Sequence, residues 1–249
     1  MLLILPPSET KRDGGADGTA LDLGTLGFPA LTPQRRAAIA ALRALSRNLR
    51  AAAGGLRLGA GQRFEIDRNR SLGSSPVMPA IERYTGVLYE GLGADALAPA
   101  ARAFAGEHLL IGSALFGLLR GDDLIPAYRL SHNSRLPGVS LRRLWAGPVS
   151  GQLAVLEPAG GLLLDLRSES YVALGPAPSD SWYLRVMSDD GHGRRTALTH
   201  FNKKGKGEFA RAVVESGIDH DTVDSLLAWA GESGIRLSRG APGELDLVV

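Results

Sequence analysis

The chain has 249 residues, and its 28 Lys and Arg against 26 Asp and Glu give a formal charge of +2, a near-balance that excludes a polycation of the histone kind. It contains no cysteine, which excludes disulfides, Cys-ligated metal sites and thiol catalysis. Hydrophobic residues at 44% suffice for a packed core, and no apolar run approaches the roughly 20 residues of a membrane span. We therefore expect a cytoplasmic monomer without a membrane partner.

The first quarter of the chain predicts a strand, a loop and a helix. Leu2–Leu5 is a short apolar run stopped by two prolines, typical of a buried strand. Residues 13–27 have no periodicity and are predicted as a loop. Thr32, followed by Pro33, is the expected N-cap of a helix. Two stripes are expected along that helix, an apolar one of Leu42, Leu45 and Leu49 and a basic one of Arg36, Arg43, Arg47 and Arg50. The basic stripe is either a solvated face or an anion-binding surface.

Further helices and strands alternate along the middle of the chain. Residues 77–91 and 94–105 are predicted as helices, and residues 108–111 as a strand. Residues 141–156 have helical spacing, but Pro148 after a glycine is expected to kink or split that helix. Residues 162–166 form a second apolar strand that ends in charged residues.

The last quarter predicts a hairpin, two helices and a second hairpin. Residues 182–188 and 195–201 alternate like strands, with residues 189–193 as their turn. Helices are expected at 207–216 and at 222–231, the second with Asp221 as its cap. A terminal hairpin of residues 236–238 and 245–249 completes a mixed α+β domain on a central sheet.

Three lysines mark the most informative segment, residues 202–211. They stand between small residues where a strand is expected to give way to a helix. Free N–H groups at a helix start, together with the helix dipole and lysines, bind anions. A solvated basic turn is the alternative interpretation.

Arginine and tyrosine share a turn in residues 112–130. Arg120 and Arg129 flank a stretch that carries Asp123 and Tyr128. A guanidinium donates two parallel hydrogen bonds to a phosphate or carboxylate, which favours an anionic ligand. An internal pair of arginine and aspartate that fixes the turn explains the pattern equally well.

Polar residues also follow the second apolar strand. Asp165, Arg167, Ser168 and Glu169 stand at its end, and strand ends often present site residues. Ser168 is alternatively a helix cap. Because each of these segments ends a strand or starts a helix, we expect them to meet in one cleft.

Five segments in order resemble the YaaA family, the peroxide-stress-resistance proteins. Residues 6–11 (PPSETK) resemble its Pro-Ala/Ser-Lys/Glu-Thr opening, and residues 84–92 its helix with a Gly-x-x-Tyr-x-Gly-Leu pattern. Residues 112–130, 164–171 and 202–211 are similar to its later motifs. This chain departs from the family where Asp-Leu-Arg at 165–167 replaces Asn-Leu-Ala, at Gly121 in place of a proline, and at the Gly-Pro pair that follows Trp145.

The resemblance implies a single α+β domain over residues 1–249, with a central mixed sheet surrounded by helices and a basic cleft at the strand ends. It also implies duplex DNA as a partner and a role in peroxide stress that keeps unincorporated iron low. No cofactor and no metal site are expected. The anion- or DNA-binding candidates are Arg120, Arg129, Arg167, Asn202, Lys203, Lys204, Lys206 and Arg211, and the catalytic candidates are Ser8, Lys11, Tyr128, Asp165, Ser168 and Glu169.

Two other functions fit the same residues. An enzyme that acts on a small anionic substrate, bearing phosphate or carboxylate, would use Ser, Tyr, Arg, Asp and Lys at element ends to stabilise charge. An interaction protein without a ligand is the third hypothesis. DNA binding would be steeply salt-dependent, whereas a metabolite site would be revealed by ligand stabilisation.

Overall fold

A mixed β-sheet forms the centre of the molecule in the computed structural model, which describes residues 1–156, 161–189, 195–197 and 202–249. Its strands are β1 (Leu2–Leu5), β3 (Leu109–Ser113), β4 (Gly117–Arg120), β6 (Leu163–Asp165), β7 (Trp182–Asp189), β8 (Arg195–Ala197), β9 (Leu237–Arg239) and β10 (Glu244–Val248). The order across the sheet is β4–β3–β1–β6–β7–β10–β9, and β8 pairs with β7. A separate pair is formed by β2 (Met78–Pro79) and β5 (Leu124–Ile125).

Five neighbouring strands run parallel, and their carboxyl ends share one edge of the sheet. β1 lies between β3 and β6, with Leu5 beside Ile111 and Ile4 beside Asp165. β7 continues the parallel set next to β6, and β10 lies next to β7. All of β3 and β6 is buried, as is β1 from Leu3 onward, as expected for parallel strands covered on both faces.

Helices surround this sheet in the described part of the chain. They are α1 (Thr32–Ser46), α2 (Leu49–Gly55), α3 (Phe64–Arg70), α4 (Ala80–Arg83), α5 (Val87–Leu92), α6 (Pro99–His108), α7 (Leu141–Leu156), α8 (Glu169–Val172), α9 (Asn202–Ser216) and α10 (Val223–Glu232). The α+β architecture with a central mixed sheet is therefore confirmed. Among these residues, the structure contains no helix with the length and apolarity that crossing a bilayer requires.

The first predicted helix is divided into two. α1 begins at Thr32 as expected but ends at Ser46, and α2 starts three residues later. Asn48 separates them in an extended conformation, and its side chain accepts a hydrogen bond from the Ala51 N–H at 3.0 Å as the cap of α2. Leu49 is consequently 53% exposed, so its assignment to the buried stripe was wrong.

The helix predicted over residues 77–91 is also wrong. The chain forms β2, the single turn α4, an extended break and then α5. The break ends at Gly86, whose φ of 95° is accessible chiefly to glycine. Before it, Tyr84 forms a β-bridge with Lys11, and this bridge brings a tyrosine to the carboxyl edge of the sheet.

α7 is one continuous helix with Pro148 inside it, so the Gly-Pro pair, which was predicted to kink or split the helix, does not split it. Pro148 has no backbone N–H to donate within the helix, and burial of one helix face compensates for the lost hydrogen bond. Trp145, Val149 and Leu153 are buried on that face. The Trp145 indole also donates a hydrogen bond to the Ala114 carbonyl at 2.9 Å.

Two boundaries differ near the carboxyl end. α9 begins at Asn202, five residues earlier than predicted, so the lysines lie within the helix. The cap of α10 is Thr222 instead of Asp221, with its side chain accepting from the Ser225 N–H at 3.2 Å. The terminal hairpin of β9 and β10 is confirmed. The turn predicted at 189–193 lies outside the described residues from residue 190 onward, as do residues 198–201 of the predicted strand.

Buried side chains hold the long loop that follows β1. The Arg83 guanidinium donates to the carbonyls of Gly14 at 2.9 Å and Pro76 at 3.0 Å. At the far end of the loop, the Asp123 carboxylate accepts from the Gly27 N–H at 2.8 Å. The loop has no regular structure, as predicted, but both ends are fixed to the domain.

Candidate functional site

A buried lysine lies at the carboxyl edge of the parallel strands, among aromatic rings. Lys11 follows β1, and only 5% of its surface is exposed. Its Nζ lies 4.1 Å from the ring centroid of Tyr128 and 5.5 Å from that of Tyr84, which is cation–π distance. Its Nζ also donates to the Glu9 carbonyl at 3.2 Å. We call Lys11, Tyr84, Tyr128 and Ser113 the lysine cluster.

Burial changes the protonation of the lysine cluster. Desolvation of the ammonium lowers the pKa of Lys11 to about 7, with the carboxylates of Glu65 and Glu9 acting in the opposite direction. Burial raises the pKa of Tyr84 and Tyr128, so both remain neutral phenols at neutral pH. The cluster therefore combines an amine that titrates near neutrality with hydroxyl groups that keep their protons.

A chain of hydroxyl groups runs through the same cluster. Ser113 Oγ lies 2.8 Å from the Tyr128 hydroxyl, which lies 2.7 Å from the Tyr84 hydroxyl. Ser113 Oγ also accepts from the N–H groups of Leu115 and Phe116 at 3.2 and 3.0 Å. With both of its lone pairs occupied, the serine must donate its proton to Tyr128, and Tyr128 then donates to Tyr84.

A buried arginine, Arg129, lies beside the lysine cluster and forms an ion pair with the exposed carboxylate of Glu9. Arg129 is buried, whereas the Glu9 side chain is 56% exposed. Arg129 Nη2 donates to Glu9 Oε2 at 2.6 Å, and Arg129 Nη1 donates to the Glu9 backbone carbonyl at 3.4 Å. Arg129 Nε is buried without a partner in the described part of the chain. Asn69 of α3 fixes the backbone, accepting from the Arg129 N–H and donating to its carbonyl.

Next to the lysine cluster, at the carboxyl end of β6, Arg167 and Asp165 form a buried ion pair. The Arg167 guanidinium donates to both carboxylate oxygens of Asp165 at 2.6–3.1 Å, and Nη2 also donates to the Gly175 carbonyl at 2.9 Å. Lys206 of α9 is buried with Nζ 5.1 Å from the Tyr183 ring centroid. Burial lowers its pKa to about 8 against the attraction of Asp165. The bidentate pair at Asp165 therefore fixes the loop after β6 and leaves few donors free.

The remaining basic candidates of α9 face outward. Lys203 and Lys204 are exposed, and Lys204 pairs with Glu208 at 3.4 Å. Arg211 is half-buried and pairs with Glu215 at 2.9 Å. Asn202 is half-buried at the first position of the helix.

Arg120 lies at the opposite edge of the sheet. β4 runs antiparallel to β3, with Ser113 opposite Gly117 and Leu110 opposite Arg120, so the chain has returned to the amino end of β3 when it reaches this arginine. Its guanidinium lies 5.4 Å from the Phe28 ring centroid. The structure thus does not bring Arg120 together with Arg129, although both come from one motif.

The other catalytic candidates are spread around the carboxyl edge. Ser8 is half-buried, and its hydroxyl lies 3.2 Å from that of Thr10 at the mouth of the lysine cluster. Ser168 and Glu169 are exposed where α8 begins, and the Ser168 side chain makes no capping hydrogen bond. Asp123, which was predicted to share a turn with Tyr128, lies beside Arg120 at the opposite edge and accepts from the Arg120 backbone N–H at 2.9 Å.

Three residues that the sequence did not single out as site residues belong to this site: Ser113 and Tyr84 of the lysine cluster, and Glu9, which pairs with Arg129. All three stand inside recognised motifs, Glu9 in residues 6–11, Tyr84 in residues 84–92 and Ser113 in residues 112–130, so membership of a motif was the available signal. The described residues contain no group of three His, Asp or Glu side chains arranged to hold a metal ion.

A separate basic surface lies on α1 to α3. Arg43, Arg47 and Arg70 line an open concavity of about 380 Å³. Arg36, Arg43, Arg47 and Arg50 are exposed, and none of them forms an ion pair within the described residues. Arg70 pairs with Asp67 at 2.9 Å. We call Arg36, Arg43, Arg47, Arg50 and Arg70 the arginine surface.

Comparison with known proteins gives consistent matches along the chain. Residues 1–234 match the family model described as peroxide stress protein YaaA. A UPF0246 protein of Corynebacterium efficiens is 41% identical over the full length of both chains. UPF0246 proteins of Corynebacterium glutamicum and Streptomyces coelicolor are 40% and 36% identical, the first over 94% of both chains and the second over 100% of this chain and 98% of its own.

Proposed function

The chain belongs to the peroxide stress protein YaaA family, and from this premise we propose that it protects cells from peroxide by binding duplex DNA through the arginine surface. In the same response it keeps unincorporated iron low, which limits the formation of oxidising radicals near DNA. The observation that carries the proposal is a set of four exposed arginines along α1, the break after it and the start of α2, none of which forms an ion pair within the described residues: Arg36, Arg43, Arg47 and Arg50. A measurement of unincorporated iron in cells with and without the protein tests the physiological part, and equal levels would contradict it.

The exposure of the basic groups decides which of them can meet a duplex. Arg129, Arg167 and Lys206 are buried and cannot contact the backbone of a rigid double helix. Arg43 and Arg47, one helical turn apart around a concavity, are accessible to phosphates. Exposed Lys203 and Lys204 on α9 supply two further cations. Phosphate contacts of this kind bind strongly without reading sequence.

Charge reversal at the centre of the arginine surface tests the DNA function. We expect Arg43→Glu with Arg47→Glu to weaken binding of a short duplex at least tenfold, about 1.4 kcal/mol. Both side chains are exposed and unpaired in the described residues, so the fold should be unaffected. Arg142→Glu with Arg143→Glu, on the exposed face of α7, is the matched control of equal charge. Equal weakening by both pairs, or by neither, would contradict the proposed surface.

The second candidate function is binding, with subsequent chemistry, of a small carboxylate at the lysine cluster. The observation that favours it is the ion pair of buried Arg129 with the exposed carboxylate of Glu9. A ligand carboxylate can replace that of Glu9, because Glu9 is free to turn into water. Lactate, a small carboxylate, should then raise the unfolding temperature by preferential binding to the native state. No stabilisation at saturating lactate would contradict this second function.

A further inference from the structure

We propose that Lys11 is a nucleophilic amine that forms an imine with the carbonyl group of a small 2-oxo acid, whose carboxylate is held by Arg129. The inference rests on the second function proposed above and names its substrate class. Lys11, Arg129, Tyr128 and Tyr84 are the residues that carry it.

The positions of the two cations define the size of the substrate. Lys11 Nζ and Arg129 Nη1 both donate to the same atom, the Glu9 carbonyl oxygen, at 3.2 and 3.4 Å. The amine and the guanidinium therefore both lie within hydrogen-bond reach of one oxygen atom. A small molecule whose carboxylate and electrophilic carbon are adjacent, as in a 2-oxo acid, suits two cations this close together.

The Glu9 carboxylate marks where the carboxylate of the substrate would bind. It makes a 2.6 Å hydrogen bond with Arg129 Nη2 while its own side chain is more than half exposed. Arg129 Nε, unpartnered among the described residues, offers a further donor on the same guanidinium. A planar guanidinium with two adjacent N–H groups suits a carboxylate better than an isolated ammonium does.

The surroundings of Lys11 favour a neutral amine. Two aromatic rings and the protein interior replace water around Nζ, and this desolvation is the largest cause of its lowered pKa. Two carboxylates and two guanidiniums face Lys11. Glu65 and Arg68 come from α3, and Glu9 and Arg129 lie at the site itself. The two carboxylates and the two guanidiniums act in opposite directions, so burial is the largest influence on the pKa of Lys11. The Nζ lone pair is therefore available near pH 7.

The reaction requires one nucleophile and one proton donor, and both are present. The Lys11 lone pair attacks the carbonyl carbon to form a C–N bond, and the carbonyl oxygen takes up a proton. The resulting hydroxyl then leaves as water when it takes up a second proton, relayed through the hydroxyl chain that ends at Tyr84. The two protons that the nitrogen loses replace the two that the oxygen gains, so each phenol ends with its own proton. The net change is amine plus carbonyl to imine plus water, so no oxidant or reductant is needed.

Reductive trapping tests the proposal without knowledge of the natural substrate. The full chain is incubated with pyruvate and cyanoborohydride at pH 7, digested and mapped by mass spectrometry. We expect Lys11 to be labelled at least about tenfold faster than Lys203 or Lys204, because a larger fraction of its amine is neutral at this pH. Labelling should be lost in Lys11→Arg and retained in Lys204→Arg, the matched exposed variant.

Each outcome supports or overturns a defined part of the proposal. Label spread over the exposed lysines with none on Lys11 in the unmodified chain would overturn it, and this result does not depend on whether any variant folds. Equal labelling by acetone, which has no carboxylate, would overturn the role of Arg129. Stabilisation by lactate without trapping of pyruvate would overturn the imine while leaving the carboxylate-binding function intact.

Discussion

Buried cations in this chain differ in their hydrogen-bond partners. Structural arginines donate to several carbonyl or carboxylate oxygens, whereas the lysine of the candidate site lies mainly against aromatic rings. Arg35 donates to the carbonyls of Phe116, Leu118 and Gly27 at 2.7–3.0 Å, and Arg167 forms its bidentate pair with Asp165. These side chains hold loops and strand ends together. Lys11 donates to one carbonyl at 3.2 Å and lies against aromatic rings, and the carboxylates and guanidiniums near it act in opposite directions on its charge, so burial leaves its ammonium form poorly stabilised.

The titration of Lys11 should be visible in the pH dependence of stability. Its pKa is about 7 in the folded chain and near 10.5 when unfolded, so between these values the unfolded state binds more protons and stability rises with pH. Relative to Lys11→Met, the unmodified chain should gain about 1 kcal/mol per pH unit from pH 7 to 9. Chemical denaturation of both proteins at pH 6, 7, 8 and 9 measures the difference.

Lys204→Met is the control for that series, because Lys204 is exposed and its substitution removes a lysine without removing a buried amine. Lys206, which is also buried, titrates in both proteins and cancels from the comparison. A constant difference between the unmodified chain and Lys11→Met across the series would contradict the assigned environment of Lys11.

Sequence reasoning identified Lys11, Tyr128 and Arg129 as candidates, and the structure places them together. It did not identify Glu9, Ser113 and Tyr84, because their contribution depends on which strands are neighbours. Ser113, for example, meets Tyr128 through a hydroxyl contact at 2.8 Å, and no spacing along the chain specifies that contact.

At the scale of elements, the crossing of α5 and α9 places the basic helix against the body of the protein. Gly91 and Gly207 lie at this crossing. A Cβ on Gly91 would lie 3.0 Å from the Lys204 carbonyl oxygen, and a Cβ on Gly207 would overlap the Leu88 carbonyl, 2.9 Å from its carbon atom. The two backbones therefore touch, which only residues without a side chain permit.

Gly207→Ala tests this close approach. The added methyl group meets backbone on α5, so the helices must separate, and we expect a loss of about 1–3 kcal/mol in the free energy of unfolding. Gly231→Ala in α10 is the matched control, since a Cβ there meets nothing within 4 Å. It should be neutral or stabilise the chain by about 0.5–1 kcal/mol. Equal effects of the two substitutions would show that the crossing is not tight.

Apolar strands were predictable from sequence, whereas helix boundaries were less so. β1 and β6 are short apolar runs that end at prolines and at charged residues, respectively, and this pattern is sufficient to predict buried strands. The break at Gly86 and the start of α9 at Asn202 depend on tertiary contacts, namely the bridge from Tyr84 to Lys11 and the packing on α5. The continuity of α7 through Pro148 likewise follows from burial of its apolar face.

At the scale of the whole molecule, sheet topology decides which motifs meet. Parallel strands β1, β3 and β6 bring the segments after them to one edge, where Lys11, Ser113 and Asp165 lie. The antiparallel return of β4 carries Arg120 to the other edge. The residues that follow the parallel strands therefore lie at one edge of the sheet, whereas Arg120 lies at the other, so the prediction that the motifs meet in one cleft is wrong for Arg120.

The same topology separates the two proposed functions. Buried Arg129 and Lys11 suit a compact ligand, and the exposed arginines of α1 and α2 suit a polymer. With a net charge of +2, the chain as a whole attracts DNA weakly, so affinity must come from local contacts. The number of such contacts is measurable from the effect of salt.

The affinity of the unmodified chain for a short DNA duplex over a salt series tests the central claim most directly. Each phosphate neutralised lowers log K by about 0.9 per tenfold rise in salt, so the four arginines of the surface that form no ion pair within the described residues predict a slope of roughly −3 to −4. Reversal of Arg43 and Arg47 should make that slope shallower by about two contacts. A steep slope that flattens in this variant is the result predicted here. Undetectable binding at low salt, or a slope that the variant leaves unchanged, would contradict DNA binding through the arginine surface.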